Sequence, residues 1–426
     1  MWFLKDSLKM HLLIRCSKSV NIALKRFSKF KLLKDNSRNL TYDPSVTILG
    51  IETSCDDTGC AVVDGKGNVL GESLFSQNIL HLRYGGINPL VARDLHRDNI
   101  ELAVNQALEK AKINVTAIDA IAVTTKPGLL ISLQIGVKYA KYLSKSYNKP
   151  LIPIHHMESH ALVARMFYDI EFPFLTLLIS GGHCLLAVVN DVDNFLLLGN
   201  TLDNAPGEVL DKAARRMKLR NIPAYSELAG GRAIEEAAKC SNNSELFAFP
   251  MPLVKSRDCN FSFSGIQDAL IRHLLSKEKE HSVVGDRIIP EVNDLCAAFQ
   301  SIIAEHISHR VQRAVIFCTK NQLLKENYKN IVVSGGVACN DFIFKTLQHV
   351  GDQLNCNVLR PPPKVCTDNG IMIAWNGIEK IKKKYQFHDV TLNSIEPKAP
   401  LGINIMDKVR EANIHVKATR LKRMLN

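Results

Sequence analysis

The sequence predicts an α/β protein built as two similar domains facing each other across a cleft. Three observations carry this. The first half opens with a strand, a small polar loop and a hairpin over 46–75, and the second half opens the same way from Phe174. Behind each opening, helical stretches alternate with short apolar runs, the pattern of strands covered by helices. Ser-Gly-Gly follows an apolar run twice, at 180–182 and 334–336. Together these read as a distant internal duplication that supplies one phosphate-facing loop from each half.

Val46–Glu52 is a short apolar strand that runs into the polar loop Thr53–Gly59, and Cys60–Asp64 returns as a second strand. The loop carries hydroxyls and two carboxylates. A phosphate site and a tight hairpin satisfy that composition equally. A third strand is expected near 69–75, then a Gly-rich loop over His81–Pro89. Leu95, Ile100, Ala103, Val104, Ala107, Leu108 and Ala111 recur at helical spacing. Ile118–Thr124 is a buried strand, Leu129–Leu143 a second helix, and 151–154 a strand ending at His155.

In the second half, Phe174–Ile179, Cys184–Val189 and 195–198 are strands, with a sharp loop at Ser180–His183. Pro206 and Glu208 suit the first turn of a helix. Asp211 lies one turn further on, placed to reach a ligand or to pair with Arg215. Residues 215–260 read as an irregular insertion, and Asn260–Gly265 alternates like a strand. A polar loop at 276–290 precedes a long helix from about 291 to 318 with Leu295, Phe299, Ile302, Ile303 and Ile307 as core. Ile331–Ala338 is a strand meeting a glycine pair, where the backbone can approach a ligand. Pro361–Pro363 leads to Cys366–Gly370, and a helix continues past Trp375.

The domains are therefore set as 41–170, with its closing helix supplied by 370–390, and 171–395, with residues 396–426 as a basic, solvated tail. Of the net charge of +12, residues 1–40 supply +8, with ten Lys or Arg against Asp6 and Asp35. That acid-poor segment interleaves Leu, Val and Phe with its cations and reads as a mitochondrial presequence. The remaining +4 does not imply a polyanion-coated surface. No stretch is apolar for the roughly eighteen residues of a membrane span, so no stable membrane insertion is expected. Eleven cysteines without paired spacing suit free thiols in a reducing compartment.

His156 and His160 are four apart, which puts both imidazoles on one helical face. Two imidazoles suit a borderline-soft divalent metal, zinc or iron, once a carboxylate joins them. Asp368, in the polar turn of 366–370, is the candidate. Such a pair is more often hydrogen-bonded filler, and only a fold that joins 160 to 368 makes a metal site. The order lacks the His-Glu-x-x-His of zinc peptidases, which argues against a metallopeptidase.

Gly50–Asp56, His156-x-x-x-His160, Ser180–His183, Phe261–Gly265, Ser334–Asn340 and Cys366–Gly370 occur in one order. In this the chain resembles the universal tRNA threonylcarbamoyladenosine transferase family over roughly 46–385, and its basic leader resembles the mitochondrial branch. The resemblance implies a duplicated actin-like, hexokinase and heat-shock-ATPase fold. It implies transfer of a threonylcarbamoyl group from threonylcarbamoyl-adenylate to N6 of adenosine 37 in mitochondrial tRNAs reading codons that begin with A, with release of AMP. It implies metal ligands His156, His160 and Asp368, and an adenylate site lined by Leu178, Ile179, Ser180, Gly181, Gly182, Asp211, Gly230 and Asn340. A homodimer in the mitochondrial matrix, supplied by a threonylcarbamoyl-adenylate synthase, is implied as well.

Chemistry adds Asp56 as a candidate proton acceptor. Four positions depart from the family pattern: Asn204 for a second aspartate, Lys126 and Ser159 for glycines, and Arg232 for proline. Lys126 and Arg232 add positive charge near RNA. The alternatives kept beside this reading are an ATP-dependent small-molecule kinase of the same superfamily and a non-catalytic tRNA-binding protein.

Overall fold

The computed structural model describes residues 41–326, 328–385 and 389–417. The expected presequence and the end of the basic tail lie outside these residues. Thr47–Glu52 (β1), Asp57–Asp64 (β2) and Val69–Ser76 (β3) form an antiparallel meander. Three helices cover this region, Asn78–Tyr84 (α1), Pro89–Ala111 (α2) and Leu130–Tyr147 (α3). Ala120–Lys126 (β4) and Leu151–His155 (β5) add in parallel, giving the order β3-β2-β1-β4-β5. His156–Leu162 (α4) follows β5 without a gap.

The second sheet repeats this plan. Phe174–Ile179 (β6), Cys184–Asp191 (β7) and Asn194–Asn200 (β8) are its meander, and Asn330–Ser334 (β9) and Asn357–Leu359 (β10) its parallel arm. Read from β8, its order β8-β7-β6-β9-β10 matches the first sheet strand for strand. This is the duplicated actin-like α/β fold. The helices of this half are Pro206–Arg216 (α5), Gly230–Lys239 (α6), Ser264–Glu280 (α7), Val292–Lys320 (α8), Asp341–Gln353 (α9) and Pro363–Cys366 (α10). Gly370–Lys382 (α11) then returns to the first sheet. No helix among the described residues is long and apolar enough to cross a membrane.

Alternation explains how each sheet is covered on both faces. Ile48 in β1 packs with Ile152, Ile154 and the α11 residues Met372 and Ile378, while Leu49 and Ile51 pack with Val104 of α2 and Val137 of α3. The approach of α11 is close. A Cβ added at Gly50 would lie 2.2 Å from the Gly370 carbonyl oxygen, and one at Gly370 would lie 2.4 Å from the Ala61 nitrogen. Glycine at both positions lets helix and strand backbones touch. Met157, Ala161 and Leu162 of α4 share a core with Phe174, Leu178 and Val332, so this helix is anchored on the second sheet.

Four sequence expectations are corrected. His81–Pro89 is not loop throughout, because α1 runs to Tyr84 before the Gly85–Gly86 turn. The 215–260 region is not wholly irregular, because α6 lies inside it. Asn260–Gly265 makes only the Thr201–Phe261 bridge. Its apparent alternation buries Phe261 and Phe263 side by side, rings 6.3 Å apart, and α7 then starts at Ser264 and runs to Glu280, a turn into the polar loop expected over 276–290. The Asp203 carboxylate fixes that start by accepting from Ser262 Oγ, the Phe263 N–H and Ser264 Oγ. Finally, residues beyond 400 are not simply a solvated tail. Ile403–Asn404 (β11) pairs with β8, and Met406–Glu411 (α12) and the chain after it bury Val409 and Ile414.

His306 of α8 stands edge-on to both phenylalanine rings and is fully buried. Its Nε2 accepts from the Ser262 N–H at 3.1 Å. Burial, and then Arg310, hold its pKa down to about 3 from an ordinary 6.5. The unfolded chain therefore takes up the proton first. Stability is full above about pH 6.5 and is lost as pH falls towards 3. From about pH 7 to about pH 5 this one histidine is expected to cost about 2 kcal/mol. His306→Gln keeps an acceptor without titrating, so urea midpoints of the variant should fall less over that range. An identical fall would refute the assignment.

Candidate metal centre

The α4 helix places His156 and His160 one turn apart, their rings perpendicular with centroids 4.7 Å apart. Neighbouring residues fix that helix. Burial holds the His155 pKa down to about 3, so its ring is neutral. Its Nδ1 then accepts from the Met157 N–H at 3.2 Å, capping α4, and its Nε2–H donates to the Pro400 carbonyl. Ser159 is buried, donates to the His155 carbonyl and accepts from Asn376 of α11 at 3.2 Å. A serine here, in place of glycine, thus ties α4 to α11.

Asp368 stands in the turn before α11, whose start is capped by the Asn369 side chain. The fold brings it 208 residues back in sequence to α4. His160 Nε2 lies 3.1 Å and His156 Nε2 3.4 Å from Asp368 Oδ1. One ligand atom from each of the three residues lies within 4.8 Å of the others. Glu52, at the end of β1 and fully buried, completes the arrangement from behind. Its Oε2 accepts from His156 Nδ1 at 3.1 Å and from Thr124 Oγ1 at 2.5 Å, and its Oε1 accepts from the Ser54 N–H at 2.5 Å. This fixes the ring and turns Nε2 towards Asp368.

The electrostatics agree with the geometry. Burial alone would raise Asp368, but His156 and His160 hold it well below the usual carboxylate range. Burial opposes a charge on His156, yet Asp368 and Glu52 raise its pKa well above the ordinary value. Two imidazoles and a carboxylate, with Glu52 fixing one ring from behind, form a donor set that can hold a divalent metal. Sequence reasoning quoted Glu52 within a motif but gave it no role. The signal was there, since a carboxylate ending a buried apolar strand must find a partner. Glu52→Gln is expected to weaken metal affinity by about 10- to 100-fold with the fold retained, read by metal titration against a chelator.

Asp56 and Asp57 lie on the same side. Burial first, and then Asp368, raise both, Asp57 to about 7. Asp57 was not singled out from sequence.

The second sheet presents the remaining candidates. Leu178 and Ile179 are buried at the end of β6, and Ser180–His183 closes a turn through the Ser180 N–H to the His183 carbonyl at 2.9 Å. Gly181 and Gly182 are exposed, with open space where a Cβ would be. Asp211 makes no ion pair with Arg215. Its carboxylate instead lies against the start of α6, where the Gly231 and Gly230 backbone opposes the upward push of burial on its pKa. A Cβ at Gly230 would lie 2.5 Å from Asp211 Oδ1. Asn340 caps α9 through the Ile343 N–H and donates to Gln300 Oε1. Lys126 and Arg232 do not stand free. Lys126 faces Glu396 at 3.6 Å, and Arg232 pairs with Glu235 and Glu236. Asn204 donates to Gln267 at 3.3 Å.

Comparison with known proteins follows the same lines. The solved structure of HypF from T. kodakarensis covers 83% of this chain and half of its own, with a TM-score of 0.50 at 14% identity, a likeness of fold. The mitochondrial tRNA N6-adenosine threonylcarbamoyltransferase of Mus musculus is 49% identical over 379 residues, 89% of this chain and 91% of the relative. That of Danio rerio is 48% identical over 376 residues, 88% and 93%. The family model described as tRNA N6-adenosine threonylcarbamoyltransferase matches residues 68–375. With the duplicated fold and the His-His-Asp group in place, the chain belongs to the tRNA N6-adenosine threonylcarbamoyltransferase family.

Proposed function

We propose that this enzyme transfers threonylcarbamoyl from threonylcarbamoyl-adenylate to N6 of adenosine 37 in mitochondrial tRNAs reading codons that begin with A. The observation that carries the reading is the meeting of His156, His160 and Asp368 at the α4–α11 junction of a chain in this family. The mixed anhydride is already activated, so no protein nucleophile is needed. The N6 lone pair attacks the carbamoyl carbon, the bond from that carbon to the phosphate oxygen breaks, AMP leaves, and one proton departs from N6.

His156, His160 and Asp368 would hold one zinc or iron ion, which when bound supplies a Lewis acid for phosphate or carbamoyl oxygen. The exposed backbone of Gly181 and Gly182 offers N–H groups to the adenylate phosphate. Leu178, Ile179, Ser180, Asp211, Gly230 and Asn340 form the surrounding adenylate pocket. Asn340 shapes it by capping α9, and Asp211 by packing against Gly230 at the start of α6. Asp56 is the proposed proton acceptor. Its raised pKa makes it a stronger base than a solvent carboxylate. We place the enzyme in the mitochondrial matrix as a homodimer, with residues 1–40 as presequence and a threonylcarbamoyl-adenylate synthase as supplier.

The deciding experiment mixes the protein with threonylcarbamoyl-adenylate and an unmodified mitochondrial tRNA carrying adenosine 37. The tRNA is then digested and analysed by mass spectrometry. Threonylcarbamoyladenosine, with one AMP released per modified nucleoside, is the expected result. Folded, metal-loaded protein that binds tRNA without forming product would sink the reading. Phosphorylation of a small substrate would favour the kinase alternative.

A further inference from the structure

We infer that the turn carrying Arg83 and Tyr84, together with Arg215 of α5, receives the single-stranded loop of the RNA that presents the target adenosine. The inference rests on the tRNA reading above and names the surface through which that substrate docks.

The turn begins beside the candidate catalytic loop, since the Gln77 N–H donates to the Asp56 carbonyl at 3.2 Å. It is built rigidly. His81 is buried and bonded to Gln77 Oε1 at 2.9 Å, the Gly86 N–H donates to the His81 carbonyl, and Asn88 caps α2. Gly85 and Gly86, with φ of 78° and 153°, make the reversal. The tip reaches the second half of the molecule. A Cβ added at Gly85 would lie 3.6 Å from Nη1 of Arg215.

What this anchored tip displays is unusual for a solvated turn. Tyr84 is 61% exposed and Ile87 46% exposed. Arg83 and Arg215 are also exposed, and neither guanidinium is hydrogen-bonded or ion-paired to a described residue, although Arg215 lowers the pKa of Asp211 through its charge. By contrast Arg216, the next residue of α5, forks onto Glu278. A single exposed tyrosine needs no explanation. An exposed ring beside Arg83, on a turn rooted at Asp56 with Arg215 next to its glycine tip, suits RNA. Guanidinium forks bind phosphate, and an open aromatic face stacks an unpaired base. RNA is read at loops whose bases can be splayed out in this way.

The test uses the full protein and a fluorescent anticodon stem-loop with unmodified adenosine. Anisotropy is measured over a salt series, without adenylate, and steady-state kinetics are run in parallel. Tyr84→Ala is expected to weaken RNA binding about tenfold, and Tyr84→Phe to restore it. Arg83→Ala with Arg215→Ala should lower the slope of log K against log salt by about 1.4, at about 0.7 for each single-strand phosphate that is no longer neutralised. KM for RNA should rise while KM for the adenylate and the metal content stay at parental values.

Parental affinity and salt slope in Tyr84→Ala and in the arginine pair would overturn the inference. So would loss of self-association in sedimentation with RNA binding intact, which would assign the turn to a protein interface. Binding is read without turnover, so the two readings fail separately. RNA that docks through these residues without being modified would sink the transferase reading and leave the docking surface standing.

Discussion

Asp368→Ala is expected to abolish metal retention and to slow threonylcarbamoyl transfer by about 10²- to 10³-fold. The aspartate is the only carboxylate of the three-residue group, and its Oδ1 is the atom on which both Nε2 atoms converge. Two imidazoles four apart on one helix do not by themselves close a site. The substitution should leave the fold intact, because α11 is capped by the neighbouring Asn369, whose Oδ1 accepts from the Met372 N–H at 2.9 Å. Metal per chain, measured by elemental analysis after gel filtration, should fall from one to near zero, with parental circular dichroism and elution volume for the metal-free forms. Full metal content in the variant would remove Asp368 from the ligand set, whatever the activity.

The largest stability effect is expected far from this centre. Arg310 is fully buried on α8, and its guanidinium donates to the carbonyls of Pro252, Leu253, Ser256 and Asp258. The nearest carboxylate oxygen, on Asp258, is 3.9 Å away. Burial holds the Arg310 pKa down to about 10, so the charge survives at neutral pH on backbone dipoles more than on an ion pair. Arg313 continues the pattern, donating to the Asp258 and Ile414 carbonyls at 2.7 and 3.0 Å. Arg310→Ala would take the donor from the Pro252 and Ser256 carbonyls, weaken the bonding of Leu253 and Asp258, which keep the Ser256 N–H and Arg313, and empty a buried side-chain site, and is expected to cost about 3–5 kcal/mol. Arg310→Lys should recover part of this, because a point charge cannot span the fork. Urea midpoints give the size of the effect. Faster amide exchange over 252–258 would place it in this loop, and a loss spread evenly over the molecule would contradict the assignment.

The parts legible from sequence are those where one kind of signal acts alone. Leu175–Ile179, interrupted only by Thr176, and Ile331–Val333 are apolar runs followed by small residues, and both are central strands. Gly230 and Gly335, each the first of a Gly-Gly pair, mark where backbone comes close to other groups. Where two signals overlapped, the reading slipped. Phe261 and Phe263 alternate with polar residues for a local reason, the Asp203 cap, and mimic a strand. Lys408 and Arg410 hide Val409, so a packed helix looks like a tail. The pairing of His160 with Asp368 is not contained in any spacing, since it depends on a strand order that only the folded chain expresses. Glu52 went unread because its partners, Ser54, Thr124 and His156, come from three separate segments.

The return of α11 to the first sheet has a consequence for how the molecule is made. The strands of the first sheet are complete by His155, yet one face of that sheet waits for Met372, Trp375 and Ile378. A ribosome must release more than two hundred further residues before that face is covered. The half of the protein synthesised first is therefore the last to be finished, and a chain cut short before α11 would carry Ile48, Ala122 and Ile152 uncovered, open to chaperones and proteases. Because Asp368 lies two residues before that helix, the His-His-Asp group comes together only in chains that have closed, and its assembly becomes a mark of completed synthesis.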